Sequence, residues 1–251
     1  QDNPYLMQTD DYYIMLASLP EVQRKQFLEG DWSAFENSSF PEFNLNTHVV
    51  KPFEIPKGWH RFRTCDWGYS SPACCLWFAI DWDNNLWVYR ELYTKKVTAD
   101  AFAKQVLQLE HGEHVRYGVL DSSTWAKRGD VGPSIAETMI REGCKWRPSD
   151  RSPKSRVNGK LEIHKRLKVD EQFKQPTLKV FSNCVNLIRT LPLLPLDKNN
   201  PEDVDTNAED HAYDALRYGV MSRPLHPSVM KELFHNTQEK VFNPVDKVFG
   251  Y

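Results

Sequence analysis

The sequence predicts an α/β domain: a mixed sheet, with an antiparallel three-strand meander followed by parallel strands, covered by helices on both faces. Three observations predict it. Residues 61–93 read as three closely spaced strand-like runs; strand-like and helix-like periods alternate from residue 98 onward; and an acid, Asp66, stands on the first strand. A carboxylate on a strand that should face a core is costly to bury unless it is paired or binds a cation. Asp66 therefore directs attention to partner acids downstream.

The elements follow in order. Residues 1–58 are expected to be an approach segment rather than core. Asp10 and Asp11 cap a short helix over 12–18, and Pro20 opens another carrying Val22, Phe27 and Leu28 that Gly30 ends. Residues 38–58 mix Pro, Asn and aromatics without a period and read as a linker packed on a neighbour. The meander runs into Asp66, turns through Gly68-Tyr69-Ser70-Ser71-Pro72, and turns again at Asp83-Asn84-Asn85. Thr98 caps a helix with Phe102, Val106 and Leu109 on one face, stopped at Gly112. Residues 115–120 form a fourth strand ending in Asp121-Ser122-Ser123. Pro133 and Gly143 bracket a helix carrying Ile135, Met139 and Ile140, and 144–147 form a short strand. A helix over about 160–168, a strand over 178–181 and a helix capped by Ser182 and running through Leu191 follow. A late helix shows Ala212, Leu216 and Val220 on one face. The tail from Arg223, with four residues of Pro or Gly, has too weak a period to assign.

Composition narrows the function. Thirty-two Lys and Arg against 34 Asp and Glu leave a formal charge of −2, which argues against a surface built throughout to coat nucleic acid or an anionic membrane. Five cysteines without a CxxC pair indicate neither a disulfide framework nor a zinc knuckle and fit a reducing compartment. No apolar run approaches the roughly 20 residues that span a bilayer, so no membrane partner is expected. Because the sequence opens on Gln1, it is expected to be a piece of something longer.

Asp66 lies on the first strand, Asp121 at the end of the fourth, and Asp210 and Asp214 four apart on the late helix. If the first and fourth strands are adjacent, Asp66 and Asp121 reach the same edge of the sheet, and the late helix completes a carboxylate cluster. Oxygen ligands without a His/Cys set favour Mg²⁺ or Mn²⁺ over zinc. Two such ions about 3.5–4 Å apart suit in-line displacement at a phosphodiester. Each acid also has a plainer role: Asp66 on turn amides, Asp121 as a turn residue, Asp210 at a helix start, Asp214 paired with Arg217. Singly these compete well; together they leave the shared location unexplained. From Arg141 to Lys168 there are ten basic residues and three acidic ones. Within that run Arg147, Arg151, Lys154, Arg156 and Lys160 are candidate contacts to a DNA backbone, the alternative being a solvated face. Glu91 and His211 are candidates for supporting the acids from outside; a cross-strand ion pair suits Glu91 equally, and a surface role suits His211.

Cys65-Asp66-Trp67-Gly68 leading into Pro72-Ala73, the strand Tyr89-Arg90-Glu91-Leu92-Tyr93, Val119-Leu120-Asp121, and Asp210-His211-Ala212-Tyr213-Asp214-Ala215-Leu216-Arg217-Tyr218 together resemble the nuclease domain of the large terminase subunit of tailed bacteriophages. Leu19-Pro20 through Arg24, and Leu28 through Trp32, resemble the stretch that joins that family's ATPase domain to its nuclease. The likeness runs over about residues 5–222 and is most specific at 210–218. It implies an RNase H-like fold over 59–222, with 1–58 as the ATPase-proximal linker and 223–251 as a C-terminal tail. It also implies a metal-dependent endonuclease that cuts concatemeric double-stranded DNA during genome packaging, leaving 5′-phosphate and 3′-hydroxyl ends. By position Asp66 and Asp121 take two metal-ligand roles, and the third falls to Asp210 or Asp214, with Asp210 favoured. Lys160, in Asn-Gly-Lys, resembles a recurrent family lysine. The implied partners are DNA, the ATPase domain of the same full-length protein, the portal and the small terminase subunit, at the procapsid portal in the host cytoplasm. No GxxxxGK[ST] occurs, so no translocating ATPase is assigned to these residues. The rival readings are an RNase H-like resolvase or transposase, and a noncatalytic portal-docking module.

Overall fold

The computed structural model describes residues 38–127, 132–169 and 175–223. One sheet contains β1 (Val49–Val50), β2 (His60–Asp66), β3 (Ala73–Ile80), β4 (Leu86–Thr94), β5 (Val115–Leu120), β6 (Arg147–Pro148) and β7 (Leu178–Phe181), in spatial order β1-β7-β4-β3-β2-β5-β6. β2, β3 and β4 pair antiparallel. β5 lies parallel to β2, β6 to β5, β7 to β4 and β1 to β7. The meander and its parallel additions are as expected, and the strands carrying Asp66 and leading into Asp121 are neighbours.

Central β3 is apolar at every position and buried along its whole length, as a strand covered on both faces must be. Its hairpin to β4 closes because Asp81 Oδ1 accepts the amides of Asp83 and Asn85, while Asn84 takes a left-handed φ of 62°. The helices are α1 (Leu45–His48), α2 (Ala99–Leu109), α3 (Ile135–Arg141), α4 (Ser155–Leu167), α5 (Val185–Thr190) and α6 (His211–Ser222), with 3₁₀ turns at Ser122–Trp125 and Leu191–Leu193. Strand alternation separates the layers. Phe62 and Thr64 face α6: Thr64 Oγ1 donates to the Ala215 carbonyl at 2.5 Å. A Cβ at Gly219 would stand 2.4 Å from Phe78 Cζ, so glycine is what lets α6 lie this close to the sheet. Arg63 faces the opposite layer, where it meets Glu110 just after α2 and Cys144 beyond α3. All five cysteines are buried and free, Cys74 and Cys75 in the core of β3. No helix among the described residues is long and apolar enough to cross a membrane.

Several local expectations shift. Residues 38–58 contribute packed structure: Phe40 and Phe43 are buried, and β1 forms the sheet's outer strand. Leu109 and Ile140 are each 40% exposed. In α2 the inward stripe is Phe102, Ala103 and Val106, and it continues to Glu110, which bonds Arg63 and so turns Leu109 outward. In α3, which opens with a capping box between Ser134 and Glu137, Ala136 and Met139 face inward instead. Helix α4 begins at Ser155 rather than near residue 160, β6 sits at Arg147–Pro148 rather than 144–147, and α5 is preceded by Cys184 while the Ser182 amide donates to Val50. The helices expected over 12–18 and after Pro20, the Leu28–Trp32 likeness, and the tail beyond 223 lie outside the described residues.

Candidate active site

Phe62, Thr64 and Asp66 alternate onto the α6 side of β2. Because Val119 pairs with Thr64 in parallel register, Asp121, one residue past β5, belongs to that same side. The Asp121 amide donates to the Cys65 carbonyl at 3.0 Å, fastening the two strand ends together. Above this rim α6 begins, with Asp210 as its N-cap residue, His211 its first residue and Asp214 in its first turn. His211 Nδ1 lies 3.0 Å from Asp66 Oδ2. Elements far apart in the chain thus deliver Asp66, Asp121, Asp210, His211 and Asp214 to one place.

The crowding shows in their protonation. Burial is the main cause that raises the Asp66 carboxyl to about 6; the His211 hydrogen bond opposes it, and the charges of Asp214 and Asp121 add to it. Asp210 is pushed up to about 7, by burial first and then by Asp214 and Asp66, with Arg156 and His211 opposing. The bond to Asp66 raises His211 against its own burial. Even at the positive end of a helix these acids lack sufficient countercharge.

They are not equally engaged. Asp214 accepts from Arg156 Nη1 at 3.0 and 3.1 Å and from Arg217 Nε at 2.9 Å, so the expected Arg217 pair is present. Asp121 accepts from the Ser123 amide at 3.1 Å and from the Ser123 hydroxyl, capping its 3₁₀ turn, which is the plainer role anticipated for it. Asp66 bonds His211 through one oxygen. The Asp210 side chain makes no cap bond; Arg156 Nη2 approaches its Oδ2 only to 3.7 Å. Among the described residues no three Asp, Glu, His or Cys side chains converge into a finished metal-ligand set. By charge and donor type the rim nevertheless fits a hard divalent cation, since its acids are carboxylates and two of them, Asp66 and Asp210, make few bonds to the protein and are raised by burial and neighbouring charge.

The remaining candidates divide. Glu91, on β4, accepts from the Asn186 amide (2.9 Å), its side chain (2.7 Å) and the Leu187 amide (2.7 Å), holding the start of α5 and forming neither the cross-strand ion pair nor a bond to the rim acids. Arg147, Arg151 and Lys154 are exposed, Arg147 stacking over Tyr117 at 3.9 Å. Arg156 and Lys160, expected at a DNA backbone, turn inward. Arg156 Nε donates to Asp203 at 2.7 Å, and Lys160, 5% exposed, points Nζ at the Pro201 and Asp203 carbonyls at 3.3 and 3.4 Å. Their helix begins five residues earlier than its period suggested, and the acid-rich stretch after residue 201 supplies closer partners than solvent. Gly159 permits this approach, for a Cβ there would fall 2.4 Å from Arg217 Cγ. Asp203 was not foreseen as a site residue. Its only signal was membership of a run, Glu202 to Asp214, with six acids and no Lys or Arg.

A mixed parallel and antiparallel sheet in this order, with helices on both faces, is an RNase H-like fold. More particularly, solved structures that it resembles include a large terminase and nuclease domains of large terminases. The nuclease domain of the P22 large terminase aligns with a TM-score of 0.60 and 16% identity, over 78% of this chain and 99% of that one. A large terminase from a thermophilic bacteriophage aligns with a TM-score of 0.61 and 15% identity, over 86% of this chain and 52% of that one, so this chain spans about half its length. The nuclease of another thermophilic phage, G20c, solved with magnesium bound, aligns with a TM-score of 0.54 and 15% identity over 75% and 98%; it has also been solved with cobalt. No family model matches the sequence, and no curated protein does.

Proposed function

We propose that this chain is the nuclease domain of a tailed-phage large terminase subunit, a metal-dependent endonuclease that cuts concatemeric double-stranded DNA during packaging. The observation that carries the reading is the convergence of Asp66, Asp121 and Asp210 from three separate elements onto one rim, where burial and like charge raise Asp66 and Asp210. Asp66, Asp121 and Asp210 would hold Mg²⁺ or Mn²⁺, with Asp214, tied to two guanidiniums, beside them. Two such ions, when bound, activate water and stabilise the leaving oxygen of an in-line displacement. His211 fixes one oxygen of Asp66 and thereby its orientation. Arg147, Arg151 and Lys154 hold the DNA backbone, a contact that carries no base information, so cutting sites are chosen elsewhere. The ATPase domain of the same protein, the portal and the small terminase subunit are the proposed partners, and the procapsid portal in the host cytoplasm the place of action.

The protein bonds of Asp121 and Asp214 favour one second reading, a noncatalytic portal-docking module with its acids in structural pairs. Nicking of supercoiled plasmid in low salt with Mg²⁺ or Mn²⁺ decides between them. Wild type is expected to cut, and Asp66→Asn to lose about a thousandfold or more of that activity while its Tm stays level or rises. Equal cutting by both proteins, or an Asp66→Asn variant that loses its fold, overturns the nuclease reading.

A further inference from the structure

Resting on that metal-site reading, we infer that Arg156 is a built-in cation that competes with divalent metal for Asp210 and so holds down the affinity of the site for metal. Arg156 reaches the rim from the first turn of α4 and stands among three carboxylates. Two arms of its fork are engaged: Nε with Asp203 at 2.7 Å and Nη1 with Asp214 at 3.0 and 3.1 Å. The third, Nη2, is buried, has no hydrogen-bond partner and lies 3.7 Å from Asp210 Oδ2. Asp210 in turn makes no side-chain hydrogen bond at its helix start. A donor without an acceptor therefore faces an acceptor without a donor, at a separation a small side-chain rotation closes.

The same Asp210 oxygen cannot turn fully to the guanidinium and also coordinate a cation well. A unit charge about 4 Å away in a half-buried setting opposes entry of a second cation unless Asp210 moves off it. The bonds to Asp203 and Asp214 keep Arg156 from leaving, and Gly159 lets α4 lie this close to α6, so the competitor stays in place whether or not metal is present. Metal then enters by drawing Asp210 away from Nη2. Asp66, anchored by His211 rather than by an arginine, has no such rival.

The test uses EDTA-stripped protein without DNA and titrates Mn²⁺, reading free Mn²⁺ by electron paramagnetic resonance. Arg156→Gln is expected to tighten Mn²⁺ binding about tenfold, whereas Lys198→Gln, which removes one exposed charge from the loop leading to Asp203, should leave it unchanged. Affinity that is unchanged or weaker in Arg156→Gln, or equally tightened in Lys198→Gln, overturns the inference and leaves the metal site standing. No Mn²⁺ binding by wild type removes the metal-site reading as well. Should Arg156→Gln fail to fold, wild-type crystals with and without Mn²⁺ decide: the Arg156 Nη2 to Asp210 Oδ2 separation is expected to lengthen with Mn²⁺, and a contact that is kept or shortened overturns the competition.

Discussion

The central sheet buries charge on both of its faces, in two different ways. On the α2 face, Arg63 (4% exposed) bonds both Glu110 oxygens at 2.8 Å, donates to the Lys145 carbonyl at 2.7 Å and stacks 4.2 Å over Trp146, while Trp77 Nε1 donates to Glu110 at 2.7 Å. Charge is balanced one to one, and each group is bonded several times. On the α6 face, Asp203 and Asp214 bond Arg156, Asp214 also bonds Arg217, Asp66 bonds His211 and Lys160 stands beside Asp203, while Asp121 and Asp210 hydrogen-bond none of these cations. The first face pairs its buried charges one to one, although Arg63 Nε has no partner; the second holds more carboxylates than cations. The imbalance costs stability, and the proposed metal would offset it.

The sharpest way to break this comparison is to remove one acid from each face. Asp210→Asn is expected to lower cleavage about a thousandfold, roughly 4 kcal/mol in rate, while raising the metal-free Tm because a crowded carboxylate is gone. Glu110→Gln should do the reverse. It strands the Arg63 charge and costs about 3–5 kcal/mol, a fall in Tm on the order of 10 °C, with cleavage per folded molecule retained. If Asp210→Asn melts earlier and Glu110→Gln does not, the two clusters are of one kind and the distinction fails.

Much of this is legible in the sequence, and the pattern of what is not is physical. The meander, the neighbouring fourth strand and the shared edge of Asp66 and Asp121 follow from strand periods and connection order, which chain sterics fix. Arg156 and Lys160 read as DNA contacts because a basic run announces its sign and not its direction. Only the earlier start of α4 and the close contact at Gly159 turn them toward Asp203 and Asp214. Glu91 reads as an outer support for the rim because its strand suggests it, whereas its partners are amides at the start of a helix about 95 residues away in sequence. Leu109 misleads because apolarity alone does not say where a stripe ends when a glutamate takes its next inward place, and Ile140 because Ala136 and Met139 fill the inward face of its helix.

The pH dependence of stability sharpens the contrast next. Asp66 and Asp210 titrate at about 6 and about 7 in the folded protein against 3.8 unfolded. Between these values the folded state holds more protons, so metal-free stability falls as pH rises from about 4 to 7, by several kcal/mol. Glu42 and Glu209 have lowered values, so their contribution rises with pH through their ordinary value of 4.5 and is nearly complete by about pH 5, where the melts begin. Thermal melts in EDTA between pH 5 and 7.5 should show the decline. Excess Mg²⁺ should flatten it, since the cation binds the ionised acids and its gain in Tm grows with pH. A metal-free Tm that climbs through this range contradicts the unbalanced rim.

The smallest expected effect concerns the outward cations. Arg151 is exposed on the segment before α4, so Arg151→Ala should change stability by less than about 0.5 kcal/mol. If it touches a phosphate, binding of duplex DNA weakens alike across sequences, and the slope of log K against log salt drops by about one. Arg156→Gln, by contrast, should leave that slope alone, because its guanidinium is spent on carboxylates rather than on DNA. Salt titrations of the two variants on one duplex therefore separate a cation that serves the ligand from one that serves the acids. Equal slopes for both would return Arg156 to the DNA surface and remove the reason for treating the run from Arg147 to Lys160 as two populations.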